Sequence, residues 1–286
     1  MKIYKILFFV LLAIFSSKTG FSFTEVAGFS NPYGIAVDEK DGFIYVSNVN
    51  GAMDAKDNNG FISRLKSNGS IDKLNFISGG TKEFQLNAPK GMVVLGNYLY
   101  VCDIEKLHVF NHLTKKFLFD INFGDLPIQN LNSLTVGPDG AIYMTDSGSA
   151  RVYRIDVNKQ HEVTSFIENP DLGGVTGIVW YPVNQSFVLS AGLSGRIVAF
   201  DGNGVVKQMP SIFLKSPQGL GIDDNGSIYV ADMSFNAVYR IASNFALFGY
   251  RQAIKTPTGI AYNRISKRII ISSFDDNKVS LFSIDE

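Results

Sequence analysis

The chain is short of the residues that usually carry chemistry. It has one cysteine, Cys102, among 286 residues, so no disulfide can form within it and stability must come from packing. Cys102 sits in the apolar string Tyr100-Val101-Cys102 and reads as a buried small hydrophobe, not as a reactive thiol. Neither sign of charge is in excess: 26 basic residues balance 26 acidic ones, with no long block of either. That excludes the electrostatic footprint of a nucleic-acid or other polyanion binder. Neither a Ser-His-Asp spacing nor a Gly-x-Ser-x-Gly elbow is present, and there is no phosphate-cradling Gly-x-x-x-x-Gly-Lys. No sustained amphipathic helix follows the N-terminal segment.

The one long apolar run, Ile6 to Phe15, follows Lys2 and Lys5 and precedes small and polar residues. This is the layout of a secretory signal peptide, with cleavage expected after Ser22, and the run falls short of the ~20 residues that span a bilayer. The expectation is an exported protein, periplasmic or secreted, not inserted in a membrane after cleavage. No cysteine follows the run, which argues against a bacterial lipid anchor. Residues 1–22 are thus read as the signal and 23–286 as one domain.

What is abundant is repetition. A Pro-x-Gly-apolar opening recurs at Pro32-Tyr33-Gly34-Ile35, Pro89-Lys90-Gly91-Met92, Pro217-Gln218-Gly219-Leu220 and Pro257-Thr258-Gly259-Ile260. Two weaker copies are Leu131-Asn132-Ser133-Leu134 and Val175-Thr176-Gly177-Ile178. The glycines, or the serine replacing one, stand at 34, 91, 133, 177, 219 and 259, a period of about 45 residues that signals a propeller or solenoid. Each opening leads to a turn and then a β-rich string such as Ile44-Tyr45-Val46 or Ile228-Tyr229-Val230, followed by a third strand. Asp41-Gly42, Gly96-Asn97, Asp139-Gly140 and Asn225-Gly226 supply hairpin turns between the first and second strands. The expected fold is all-β: a six-bladed β-propeller of four-stranded antiparallel blades. The last repeat ends with its third strand, Lys278 to Ile284, while Phe23 to Ala27 has no blade of its own. Pairing the two closes the ring and removes exposed sheet edges.

The pattern Pro-x-Gly-Ile-Ala-Val-Asp, then Ile-Tyr-Val-x-Asp, then Asn-x-Val-Tyr-Arg-Ile resembles the NHL repeat across the whole mature chain. The chain is also similar to the regucalcin/gluconolactonase superfamily of six-bladed propellers, some of which hydrolyse sugar lactones with a divalent metal in the central channel. That resemblance implies metal ligands Glu, Asn and Asp from blades one, four and five. The matching positions here are Tyr33, Thr176 and Gln218, none of which is the family's residue. Asn132 matches an Asn that the family places near its substrate, but one neutral amide does not hold Ca²⁺ or Mg²⁺. No metal and no cofactor is therefore expected.

The residue before each opening glycine is expected at the mouth of the channel: Tyr33, Lys90, Asn132, Thr176, Gln218 and Thr258. They form a polar, mostly neutral ring suited to hydrogen-bonding a ligand, or only to pairing backbone groups and channel water. Tyr33 and Lys90 together suit an anionic or carbonyl-bearing group. The loop from Val49 to Gly60 and the connections 79–88 and 122–130 should crowd the same face, where binding usually resides. Asp54, Asp57 and Asn59 lack the spacing of a calcium loop, and Asp103, Asp146 and Asp232 read as loop caps. His108, His112 and His161 are expected away from the axis, at surface or edge positions. Asp223-Asp224-Asn225-Gly226-Ser227 fits a bacterial glycosylation acceptor or a plain hairpin turn. The reading is a monomeric, non-catalytic propeller that binds a protein or small-molecule ligand on its loop-rich face. A lactonase with a rebuilt site is the alternative.

Overall fold

A computed structural model describes residues 23–207 and 212–284. The segment read as an export signal, 1–22, lies outside the described residues. Twenty-four strands, β1 to β24 in chain order, form six four-stranded antiparallel sheets. Blade one shows the unit: β2 (Pro32–Val37) innermost, then β3 (Ile44–Asn48), β4 (Phe61–Leu65) and β5 (Ile71–Ser78). The other inner strands are β6 (Pro89–Leu95), β10 (Leu131–Val136), β14 (Val175–Tyr181), β18 (Pro217–Ile222) and β22 (Pro257–Asn263). The only helical turn among the described residues is Pro170–Leu172. No described helix is long and apolar enough to cross a membrane.

The ring closes as the orphan strand requires. Phe23–Ala27 (β1) pairs antiparallel with Lys278–Ser283 (β24), with Val26 opposite Val279, as the outer strand of blade six. The pairing covers the outer edge of β24 and makes β1 the outermost strand of blade six.

The buried core lies between blades, in aliphatic and aromatic clusters that each draw on two neighbouring sheets, such as Tyr100, Leu107 and Val109 with Leu134, Ile142 and Tyr153. Turn residues behave as their chemistry dictates: Gly42, Gly96, Gly140 and Gly226 take φ values of 60 to 76° at the first hairpin of their blades.

The opening glycines answer to a different constraint. A Cβ on Gly34 would come within 2.1 Å of the Lys90 carbonyl oxygen, and one on Gly259 within 2.2 Å of the Tyr33 oxygen. Each opening thus lies flat against the next blade. In four blades a hydroxyl from the second strand joins the two: Ser47 Oγ accepts from Gly34 N at 2.7 Å and donates to the Lys90 carbonyl at 2.7 Å. Thr145, Ser190 and Ser272 do the same in blades three, four and six. Blade two has Cys102 at this place and blade five Ala231, both fully buried. Burial pushes the Cys102 thiol far up, so it is an inert part of the core.

Candidate functional site

The six residues expected at the channel mouth do come together, one from the start of each inner strand, but they are not open to solvent. Tyr33 is 5 % exposed, Lys90 2 % and Thr258 1 %. Tyr33 reaches across the axis, its hydroxyl 3.4 Å from both Asn132 Oδ1 and Gln218 Oε1 while Asn132 Nδ2 donates to it at 3.1 Å. Blades one, three and five are so joined through one phenol. Thr176 and Thr258 turn their hydroxyls to backbone carbonyls instead, Thr176 Oγ1 to Pro217 O at 2.8 Å and Thr258 Oγ1 to Pro32 O at 3.1 Å. Lys90 Nζ donates to Asn130 Oδ1.

Above this layer an apolar cap completes the closure. Tyr33 packs in one cluster with Val49, Ala88, Ile104 and Phe274, and Met53 from the long loop of blade one lies against them. Phe274 meets the Tyr33 ring edge-on at 6.4 Å. The mouth is therefore a plug, in which each polar group has a protein partner. Burial raises the Tyr33 phenol above its ordinary value, so it stays protonated. Burial also lowers the Lys90 ammonium, against the opposing pull of Cys102, Asp103, Asp54 and Asp146.

This arrangement does not suit a divalent cation. The positions that the resemblance implied as ligands, Tyr33, Thr176 and Gln218, offer a protonated phenol, a hydroxyl committed to backbone and one amide, whereas Ca²⁺ or Mg²⁺ wants carboxylates and six or more oxygens. Among the described residues no group of three or more His, Cys, Asp or Glu converges on a point that could hold a metal.

The aspartates at strand ends cap loops, as expected. Asp103 accepts from Asn87 N and Ala88 N, Asp146 from Gln129 N and Asn130 N, and Asp232 from Lys215 N and Ser216 N. Each ties the connection entering its blade to the second strand. The long loop is braced similarly, with Asn58 Oδ1 accepting from Gly80 N and Leu86 N at 2.9 Å each.

Two histidines correct the expectation of surface positions. His108 is 1 % exposed, with Nδ1 2.5 Å from Asp120 Oδ1 and Nε2 3.3 Å from Asp103 Oδ2. Burial pushes its pKa down, but the two carboxylates outweigh this and the net direction is up. His112 is buried too, with Nδ1 2.9 Å from the Tyr45 hydroxyl and Nε2 3.1 Å from the Gly96 carbonyl. His108 is covered by Asp103, Asp120 and Phe117 of its own blade and His112 by Tyr45 of the preceding one, which a single strand does not disclose. His161 is half-buried against Tyr100, its Nε2 3.0 Å from that hydroxyl.

The opposite end of the channel is open. Beneath the plug the residue after each opening glycine or serine is aliphatic: Ile35, Met92, Leu134, Ile178, Leu220 and Ile260 line an axial cavity of about 90 Å³. It adjoins cavities of about 190 Å³ and about 760 Å³ that reach the face carrying the first hairpins. The larger is walled by the lower halves of β2, β6 and β10, with Ala261 and Tyr262 from β22, and rimmed by Asp38 to Asp41 and His112. These lining residues were missed in the sequence. Their signal is the second residue after each opening glycine or serine, which reads Ala36, Val93, Thr135, Val179, Gly221 and Ala261 and is never long or charged.

The family model described as SMP-30/Gluconolactonase/LRE-like region matches residues 67–269. No curated protein matches the chain significantly by sequence. Among solved structures, a gluconolactonase of Xanthomonas campestris is 15 % identical with a TM-score of 0.71, over 91 % of this chain and 89 % of that one. Virginiamycin B lyase of Staphylococcus aureus is 16 % identical with a TM-score of 0.65, over 92 % and 99 %. An auxiliary nutrient binding protein of Bacteroides thetaiotaomicron is 12 % identical with a TM-score of 0.70, over 90 % and 69 %. At these identities the likenesses speak to the fold, and one fold here serves a hydrolase, a lyase and a binding protein.

Proposed function

The chain belongs to the SMP-30/gluconolactonase/LRE-like family, and from that premise we propose that it is an exported, non-catalytic member that binds a partner on its loop-rich face. One observation carries the reading. The place where the family's metal chemistry is expected holds Tyr33 with its hydroxyl between Asn132 and Gln218, under a cap of Val49, Met53, Ile104 and Phe274. Lactone hydrolysis needs an electrophile or a base facing a bound substrate, and this layer presents neither to a space that a substrate could occupy.

Because the axis is shut on that face, the ligand it takes is a surface and not a small molecule in a channel. A protein partner fits this. The loop of blade one is held by Asn50 Nδ2 to Asn59 O at 3.0 Å and by Asn58 to the neighbouring connection, so it presents Asp54, Lys56 and Asp57 from a rigid base. Export rests on the charge-then-apolar order of residues 2–15.

A lactone hydrolase with a rebuilt site is the second reading, favoured by family membership. Metal analysis after dialysis, paired with a lactone panel in Ca²⁺, Mg²⁺ and Zn²⁺, separates the two. The expected outcome is no stoichiometric metal and no rate above buffer. A chelator-sensitive lactonase rate overturns the non-catalytic reading. For the partner, replacing 51–58 with a turn as short as Ser147-Gly148-Ser149 of blade three should abolish capture of envelope proteins that the wild type retains. Unchanged capture by a folded variant would remove the loop from the interface.

A further inference from the structure

The second opening into the channel lies away from the loop-rich face and is independent of the reading above. All six inner strands carry a register shift at the opening, between Pro32 and Ile35 in β2 and at the matching place in the other five. A bulge switches which side chains face a given direction. The mouth residue and the residue three positions on therefore lie on the same side of the strand. At the mouth the side chains of Tyr33, Asn132 and Gln218 are long enough to meet. Three positions on they are Ala36, Val93, Thr135, Val179, Gly221 and Ala261, and every one of them lines one of the three adjoining cavities. The open end is thus built by a repeated choice of short side chains, at one position in each of six repeats.

The walls are apolar and the rim is not. The largest cavity, about 760 Å³, is within the range of roughly 300 to 1,000 Å³ typical of small-molecule sites. Its rim on blade one carries exposed Glu39 and Asp41 against the single cation Lys40, with buried Asp38 behind them 3.7 Å from His112 Nδ1. Glu39 is exposed, and its nearest cation, Arg264 at 3.7 Å, is already held by Asp224 at 2.7 Å. His112, from blade two, has both ring nitrogens engaged by Tyr45 and Gly96. The rim is therefore net negative over an apolar interior.

We propose that this funnel is a binding site for a small molecule with an apolar body and a protonated amine, the body seated among the short side chains of the inner strands and the amine at the exposed Glu39 and Asp41 of the rim. Burial of the body supplies affinity, and the rim selects the sign of charge.

Two dyes with one fluorophore and opposite charge test this: dansylcadaverine, which carries the amine, and dansylglycine, which carries a carboxylate. The mature protein should brighten and blue-shift dansylcadaverine saturably and leave dansylglycine at least tenfold weaker. Thr135→Phe and Ala261→Phe, on half-buried positions of different blades, fill the void and should weaken the amine dye tenfold or more without lowering the melting temperature. Glu39→Gln, on an exposed side chain, should weaken it about threefold and leave dansylglycine unchanged or slightly tighter. No response to dansylcadaverine overturns the site, as does normal binding by either filled variant. Equal affinity for the two dyes overturns the ligand class. None of these outcomes bears on lactone hydrolysis or on the 51–58 loop, so the two readings fail separately.

Discussion

The two ends of one channel, walled by the same six strands, come out opposite. At the loop-rich end Tyr33 closes the axis against Asn132 and Gln218, and the nearest residues are buried. At the other end the wall recedes into a cavity of about 760 Å³. The backbone is common to both, since every inner strand has the same bulge and spacing. What differs is side-chain reach: Tyr33, Asn132 and Gln218 meet above, where Thr176 and Thr258 turn to backbone, while Ala, Val, Thr and Gly stand below. In a close-packed ring a few ångströms of side chain decide between a plug and a pocket.

The sharpest way to break this comparison is to remove the plug. Tyr33→Ala deletes an aromatic ring packed on Phe274 and leaves Asn132 and Gln218 without their shared hydroxyl, so it should cost about 3 to 5 kcal/mol in urea unfolding. Tyr33→Phe keeps the ring and should cost about 1 kcal/mol. A loss below about 1 kcal/mol for Tyr33→Ala would mean that the mouth is not closed by packing.

Lys90 tests whether the closed end is a structural layer or a latent site. As a mouth-lining side chain it would support little of the core, but at 2 % exposure it belongs to the interior. Lys90→Ala should cost about 2 kcal/mol by leaving a void and an unpartnered Asn130 Oδ1, whereas Lys90→Met, which keeps the volume and removes a buried charge, should be neutral or slightly stabilising. Full stability in both variants, with loss of an anionic ligand, would restore the view of Lys90 as a binding group.

The smallest effect comes from a brace unique to blade two. His108 lies between Asp120 and Asp103, and Asp103 also holds Asn87 N and Ala88 N at the loop-rich end. Its folded-state pKa is raised. The protonated form is thus favoured by folding: the contribution is complete below the ordinary histidine range and lost as pH rises through the folded-state value. Stability of the wild type relative to His108→Gln should therefore fall as pH rises above the ordinary histidine range, read as urea unfolding of both proteins at a series of pH values. A flat difference would mean that the imidazole binds there as a neutral ring.

Much of this was legible beforehand. The six openings, their turns and the orphan strand at Phe23 led to the correct blade count and to the pairing of Phe23 to Ala27 with the last strand of the chain. The six mouth residues stand together at the starts of the inner strands, because a repeat brings equivalent positions to one level. Their closure was hidden, since the contact of Tyr33 with Asn132 and Gln218 spans separations of 99 and 185 residues and depends on side-chain reach across the axis. His108 and His112 were misplaced for a related reason, their burial being supplied by Asp120 and Asp103 in the one case and by Tyr45 of the preceding blade in the other.

By itself the sequence determined the repeat, the turns at Gly42, Gly140 and Gly226, and the closure of the ring, because periodicity and turn chemistry are local and are repeated six times. Only the tertiary structure decided which end of the channel is open. That outcome rests on how far Tyr33, Asn132 and Gln218 extend toward a common axis, and no single repeat contains that distance.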